Sequence, residues 1–176
     1  MEKTACLIVD VQQAATAPLP DGGEGVTKRL SRLIAWCRQQ MVPLVYVRQA
    51  AEEGEISPID PRIQPREGEL VLDKSYNSAF LETELEDWCG EQGITQLIVA
   101  GMMTELCVDA TIQSAFERGY QVLVPQGCCA TYDNEYMTAE QAEAYYEQKI
   151  WQGRYAQVFS LDDLLAQATR LQEARD

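Results

Sequence analysis

Cys107 is the residue of this sequence best placed to act as a nucleophile. It follows an apolar run that ends at Gly101, and it falls in the first turn of the helix predicted next. Free N–H groups and the positive end of a helix dipole stabilise a thiolate at such a position. A nucleophilic thiol needs a base, yet the 176 residues include no histidine. The base must therefore be a carboxylate, a lysine or a residue of a partner chain.

Two further polar residues lie at the ends of predicted strands. Asp10 ends the first strand and Lys74 follows the third, just as Cys107 follows the fourth. Ligands of open parallel sheets bind beyond the carboxyl ends of the strands, so we expect these side chains to meet at one edge. Asp10 would act as general base and then general acid, Lys74 would hold the carboxylate and stabilise the thiolate, and Cys107 would attack a carbonyl carbon. Taken one at a time, each residue has a plainer structural explanation: the Asp as a cap, the Lys as a solvated side chain and the Cys as part of the core. Only the convergence of all three at one edge favours catalysis.

The elements that would position these residues alternate between strand and helix. Strands are predicted at residues 4–10, 42–47, 70–72, 95–100, 120–124 and 157–159, and helices at 24–41, 81–92, 104–118, 142–150 and 161–171, the last with Ser160 as its N-cap. Strands that are apolar on both faces and joined by helices indicate a parallel sheet covered on both sides. We predict a three-layer α/β/α, Rossmann-like fold with a central, mainly parallel sheet of about six strands, in a single domain over residues 1–176.

Residues 49–68 interrupt this alternation. The segment carries Glu52, Glu53 and Glu55, followed by three prolines, and has little apolar content. A long loop of this kind inside a compact domain is usually functional or disordered. We predict a wall or lid over the site, with a plain surface loop as the alternative.

The net charge of −14 argues against nucleic-acid and anionic-membrane partners, which basic patches attract. No apolar run approaches the roughly 18 residues of a membrane span. The first residues show no basic region followed by a small-residue cleavage site. The expectation is a cytoplasmic protein that acts on a small molecule.

The other cysteines of the chain are expected to be structural. They lie in apolar segments or in an adjacent pair, a setting in which free cysteines behave as small buried hydrophobes. These residues are Cys6, Cys37, Cys89, Cys128 and Cys129. No Cys-x-x-Cys spacing occurs, so neither a zinc framework nor a dithiol redox site is predicted.

Four short motifs carry a family resemblance. They are Leu-Ile-Val-Asp-Val-Gln at 7–12, Lys-Ser-Tyr-Asn-Ser-Ala-Phe at 74–80, Gly-Met-Met-Thr-Glu-Leu-Cys-Val at 101–108 followed by Thr111, and Gly-Cys-Cys-Ala-Thr at 127–131. In motif order and strand layout the chain resembles the isochorismatase-like cysteine hydrolases along nearly its whole length. That group includes nicotinamidases, N-carbamoylsarcosine amidohydrolase, ureidoacrylate and biuret hydrolases, and isochorismatases.

The resemblance implies a catalytic triad, carried here by Asp10, Lys74 and Cys107. It also implies a cis peptide bond between Met102 and Met103 that turns the Met103 N–H toward an oxyanion, where the N–H of Cys107 would be the second donor. Family members commonly form dimers or larger homo-oligomers in which a neighbouring subunit helps to close the site. Gln12 is a candidate substrate contact, or a structural polar residue of its loop.

The sequence also departs from parts of the family pattern. Nicotinamidases bind a metal through an Asp and histidines after strand two, whereas Arg-Gln-Ala-Ala occupies 48–51, so no metal and no cofactor are expected. The aromatic residue that follows the first Asp in the family is also missing, since Gln-Ala-Ala stands at 13–15. Members that cleave the vinyl ether of isochorismate often lack the cysteine, so Cys107 favours amide or ureide hydrolysis.

The leading hypothesis is therefore a metal-independent cysteine hydrolase that cleaves a C–N bond of a small amide, carbamoyl or ureido compound. An isochorismate-type ether hydrolase and a catalytically silent binding protein are the alternatives, and a redox thiol protein ranks last. The motifs leave the substrate open. We expect the loops at 13–25 and 49–68, residues 132–136 and a partner chain to select it.

Overall fold

The computed structural model describes residues 3–166, and within them strands and helices alternate. The strands are β1 (Thr4–Val9), β2 (Leu44–Gln49), β3 (Leu70–Lys74), β4 (Gln96–Met102), β5 (Gln121–Pro125), β6 (Cys129–Ala130) and β7 (Gln157–Phe159). The helices are α1 (Gln13–Thr16), α2 (Glu24–Gln39), α3 (Leu85–Gln92), α4 (Asp109–Glu117) and α5 (Ala139–Tyr145). A 3₁₀ turn covers Pro61–Ile63, and π-helical turns cover Thr104–Val108 and Tyr146–Trp151. Residues 161–166 are helical, and the rest of the predicted closing helix lies outside the described residues.

Within residues 3–166 the strands form one seven-stranded sheet, in the order β3-β2-β1-β4-β5-β7, with β6 paired to the end of β4. Every pairing between these strands is parallel. The predicted α/β/α fold is confirmed. The strand beyond the expected six is β6, whose two residues are too few to show a periodic pattern.

Both faces of the sheet are buried because its strands alternate between two apolar clusters. In β1, Leu7 and Val9 pack into the cluster that includes Ile112 of α4. Ile8 packs into the cluster on the other face with Leu30 of α2. Burial of each such side chain stabilises the folded state by about 1.5–3 kcal/mol. The two layers therefore hold the central strands firmly and fix where their carboxyl ends lie.

Gly101 lets β4 lie directly against the end of β1. It pairs with Val9 in the parallel register, and its φ of +132° is in a region that L side chains rarely adopt. A Cβ at this position would lie 2.1 Å from the carbonyl oxygen of Val9. Any side chain here would therefore push apart the ends of β1 and β4, the strands that precede Asp10 and Cys107.

The helices within residues 3–166 are all too short or too polar to cross a membrane.

Candidate active site

The structure brings Asp10, Lys74 and Cys107 together at the carboxyl edge of the sheet. The Lys74 ammonium lies 2.7 Å from Oδ2 of Asp10 and 3.3 Å from Sγ of Cys107. The Asp10 carboxylate is also close enough to the thiol to raise its pKa. The Lys74 ammonium therefore lies within hydrogen-bond distance of both a carboxylate and a nucleophile.

Asp10 lies immediately after β1, where the chain turns sharply. Its N–H still donates to the carbonyl oxygen of Val47, as a further strand residue would, but its φ is +51°. This left-handed conformation costs a non-glycine residue roughly 1–2 kcal/mol, and Asp is among the residue types that adopt it. Its side chain is only 8% exposed. The turn places a carboxylate in the site at the point where strand pairing stops.

Lys74 is the last residue of β3, and its side chain is completely buried. Its ammonium donates to Oε1 of Gln49 at 2.6 Å and to the carbonyl oxygen of Tyr76 at 3.0 Å, in addition to its contacts with Asp10 and Cys107. Gln49 pairs with Lys74 in the register of β2 and β3. The lysine is therefore fixed in position by its neighbours, and the ammonium is directed at the other two members of the triad.

Cys107 lies in a π-helical turn rather than in the first turn of a regular α-helix. The turn covers Thr104–Val108 and leads into α4, where the sequence predicts one continuous helix over 104–118. Such π turns occur often at functional sites. The Cys107 thiol is partly exposed, whereas the other five cysteines are buried, as expected for structural thiols.

The electrostatics of Cys107 differ from the expectation of a stabilised thiolate. The pKa of the thiol is raised to about 11, and burial is the largest cause. The nearby Asp10 carboxylate raises the pKa as well, and its effect is larger than the lowering by Lys74. At neutral pH the resting site therefore holds a protonated thiol. A carboxylate that raises the pKa of a thiol is also placed to accept its proton.

Burial also raises the pKa of Asp10, against the opposing effects of Lys74 and Cys107. The sequence argument expects Lys74 to lower the pKa of both neighbours. It does act in that direction, but removal from water outweighs it. A carboxylate with a raised pKa is a stronger base than a solvated one.

A cavity of about 500 Å³ opens beside the triad. Its apolar walls come from Ala14, Ala15, Ala51, Met102, Met103 and Leu106. Asp10 and Cys107 lie at its surface, together with Gln49, Glu55, Ser57 and Tyr132. This volume is within the usual range for small-molecule sites, which combine apolar walls with a few polar groups.

Met103 lies in the cavity wall directly before the turn that carries Cys107. The Met102–Met103 peptide bond is cis. Met103 and Cys107 both line the cavity.

Gln12 borders the cavity, but its amide is bonded to backbone. Nε2 donates to the carbonyl oxygens of Gln49, at 3.1 Å, and Ser57, at 2.8 Å, and Oε1 accepts from the Gln49 N–H at 2.8 Å. An antiparallel bridge joins Gln12 to Ile59. The structure therefore shows Gln12 fastening the segment after β2, which forms one wall of the cavity.

The sequence assigns no role to several residues of the site. Gln49 becomes recognisable only through the β2–β3 register. Asn77 belongs to the motif at 74–80, but the 3.8 Å distance between its Oδ1 and the sulfur of Cys107 is seen only in the structure. Glu55 and Tyr132 belong to loops that the sequence marks for substrate selection without naming a role.

Across residues 3–166, no three His, Cys, Asp or Glu side chains are arranged to hold a metal ion.

Comparison with known proteins identifies the class to which this fold and site belong. The family model described as "Isochorismatase domain" matches residues 4–150. A crystal structure of an isochorismatase hydrolase from Oleispira antarctica superposes with a TM-score of 0.85 at 29% identity, over 94% of this chain and 97% of that one. The chain belongs to the isochorismatase family of hydrolases.

Two enzymes with named activities are among its relatives. Streptothricin hydrolase of Streptomyces noursei is 32% identical over 139 residues, which are 73% of this chain and 55% of that protein. N-carbamoylsarcosine amidase of an Arthrobacter species is 38% identical over 68 residues, 39% of this chain and 26% of that protein. The chain thus spans about half of the first enzyme, and a smaller part of the second.

Proposed function

We propose that this protein is a metal-independent cysteine hydrolase that cleaves a C–N bond of a small amide, carbamoyl or ureido compound through a thioester. The observation that carries the proposal is the position of the Lys74 ammonium, between Asp10 and Cys107 beside the cavity. The similarity to an enzyme named N-carbamoylsarcosine amidase supports the C–N bond as the target.

In the first half-reaction Sγ of Cys107 attacks the carbonyl carbon while Asp10 takes the thiol proton. The oxyanion of the tetrahedral intermediate accepts hydrogen bonds from the N–H groups of Met103 and Cys107. Asp10 then gives the proton to the leaving nitrogen, the C–N bond breaks, and ammonia or an amine departs. An acyl thioester remains on Cys107.

In the second half-reaction water attacks the thioester carbonyl. Asp10 accepts a proton from that water, the C–S bond breaks, and the proton returns to sulfur as the acid leaves.

In the first half-reaction the proton transfer from the thiol to Asp10 accompanies the attack of sulfur on carbon, because the resting thiol has a pKa of about 11. Lys74 keeps the carboxylate in place and stabilises the negative charge as it passes between oxygen and sulfur.

The test is an ammonia-release screen over small primary amides and ureides with the wild-type protein and Cys107→Ala. We expect release by the wild type to survive exhaustive chelation and to vanish in the variant. Activity that returns only with added metal would contradict the metal-independent mechanism. Vinyl-ether cleavage of isochorismate that survives Cys107→Ala would support the ether hydrolase instead. Binding without turnover would support the silent binding protein.

We also propose that the enzyme works in the cytoplasm as a homo-oligomer, a dimer or larger. Light scattering on the purified full chain measures the oligomeric state. A monomer with full activity would exclude a contribution from a neighbouring subunit to the site.

A further inference from the structure

The charges that face the cavity are unevenly distributed. Among the described residues that line it, Asp10 and Glu55 are acidic and none is basic. The nearest cation is Lys74, whose side chain is completely buried behind the cavity surface. A substrate in the cavity therefore meets carboxylates, neutral polar groups and apolar walls, but no basic side chain among these lining residues.

The charge of Lys74 is already balanced within the triad. Its ammonium is ion-paired to Asp10 and donates to three further acceptors, those of Gln49, Tyr76 and Cys107. It has no donor left for a carboxylate of the substrate. An anion that enters an apolar cavity without a counter-ion loses its hydration and gains no partner.

Glu55 is the carboxylate at this cavity that has no counter-ion in the described part of the chain. It lies in the exposed stretch of the loop after β2, and within residues 3–166 it forms no ion pair or side-chain hydrogen bond. Asp10, by contrast, is paired with Lys74. The one unbalanced charge that the described lining residues present to the cavity is therefore negative.

We infer that the cavity selects amides whose remote end is neutral or positively charged, excludes those that end in a carboxylate, and owes this preference to Glu55. The inference rests on the proposed function for the position of the scissile bond. It adds the charge class of the substrate and a residue that determines specificity.

The experiment uses three amides of equal length that differ only in the terminal group: 5-aminopentanamide, hexanamide and adipamate, each with four methylenes before the amide. Ammonia release gives kcat/KM for each. We expect 5-aminopentanamide to be preferred over adipamate by about tenfold or more, as one unpaired charge at a partly exposed site can discriminate. Equal kcat/KM values for the two charged amides would overturn the inference.

Glu55→Gln removes the charge and keeps the shape of the side chain. We expect the ratio of kcat/KM for 5-aminopentanamide to kcat/KM for adipamate to fall by at least about threefold. The matched control is Glu53→Gln, since Glu53 is exposed in the same loop and does not line the cavity. A ratio unchanged in Glu55→Gln, or lowered equally in Glu53→Gln, would contradict the role of Glu55.

A second measurement separates this inference from the proposed hydrolysis. Each amide is also tested for slowing the alkylation of Cys107 by iodoacetamide, which reports binding without turnover. Protection in the expected charge order with no ammonia release would support the selectivity and contradict the hydrolase. Turnover without any charge order would support the hydrolase and contradict the selectivity.

Discussion

Replacing Asp10 with Asn should make Cys107 more reactive toward an alkylating reagent and at the same time abolish turnover. The charge of Asp10 raises the pKa of the thiol, whereas Lys74 lowers it. With Asn at position 10 the thiol keeps the favourable cation and loses the unfavourable anion. The thiolate therefore becomes easier to form, but no base is left to move the proton during catalysis.

The expected size of the effect follows from the pKa of the thiol and from the Coulomb interaction of two nearby charges. A thiol with a pKa of about 11 is ionised to about 3 parts in 10,000 at pH 7.5. Two unit charges about 4 Å apart interact by about 4 kcal/mol at an effective dielectric constant of 20, or about 3 pKa units. Screening by Lys74 leaves about 2 of these units, which raises the thiolate fraction about 100-fold. A less basic thiolate is also less nucleophilic, by about tenfold over this range. The net expectation is about tenfold faster alkylation.

The assay follows iodoacetamide labelling of Cys107 by mass spectrometry of the intact protein and its peptides. In both proteins Cys107 should be labelled ahead of the other five cysteines, since those are buried. Asp73→Asn is the matched control. Asp73 is also an ion-paired carboxylate, with Arg48 as its partner, and its substitution changes the net charge by the same amount. Near-ultraviolet circular dichroism checks that each variant is folded.

An alkylation rate in Asp10→Asn that stays the same or falls would refute this electrostatic account of the triad. An equal acceleration in Asp73→Asn would attribute the effect to net charge instead. Retained ammonia release in Asp10→Asn would show that another group accepts the thiol proton.

Two further predictions concern the loop that forms one wall of the cavity. Gln12→Ala removes the hydrogen bonds from the Gln12 side chain to the backbone of Gln49 and Ser57. We therefore expect faster proteolysis within residues 50–56 and a higher KM. A higher KM with unchanged proteolysis would instead indicate that Gln12 contacts the substrate directly. Asp60, whose pKa Arg62 lowers to about 2, should contribute about 1–2 kcal/mol of stability after discounting for the exposure of Arg62. Urea titrations should show this loss in Asp60→Asn at pH 7. The difference from wild type should narrow as the pH falls from about 4 through about 2, because the carboxylate is protonated first in the unfolded state and then, below its folded-state pKa of about 2, in the folded state as well. A difference independent of pH would contradict the ion pair.

The meeting of three polar side chains at one edge could be predicted because parallel topology alone places the carboxyl ends of strands there. Asp10, Lys74 and Cys107 each follow or end an apolar run, and no knowledge of register is needed to bring such residues near one another. Gln49 could not be predicted in the same way. Its contact with Lys74 depends on β2 and β3 pairing at that residue, and two buried strands that lack an alternating polar face do not reveal their register.

The protonation state of Cys107 was also beyond the sequence. A position near the start of a helix reveals only the groups that stabilise a thiolate. Burial and the nearby Asp10 act in the opposite direction and are the larger effects. Both depend on how tightly the loops close around the site, which a local pattern does not contain.

The absence of histidine can be understood from the same electrostatics. In a Cys–His pair one imidazole both accepts the thiol proton and, once charged, stabilises the thiolate. In the proposed mechanism two residues divide these tasks: Asp10 accepts the proton, and the Lys74 ammonium, which lies beside both groups, stabilises the negative charge. Burial is what allows a carboxylate to act as this base, because it raises the pKa of Asp10 toward that of the group it must deprotonate. In the proposed mechanism the apolar walls of the cavity therefore support the base, and a substitution that admits water beside Asp10 would weaken it without touching any of the three side chains.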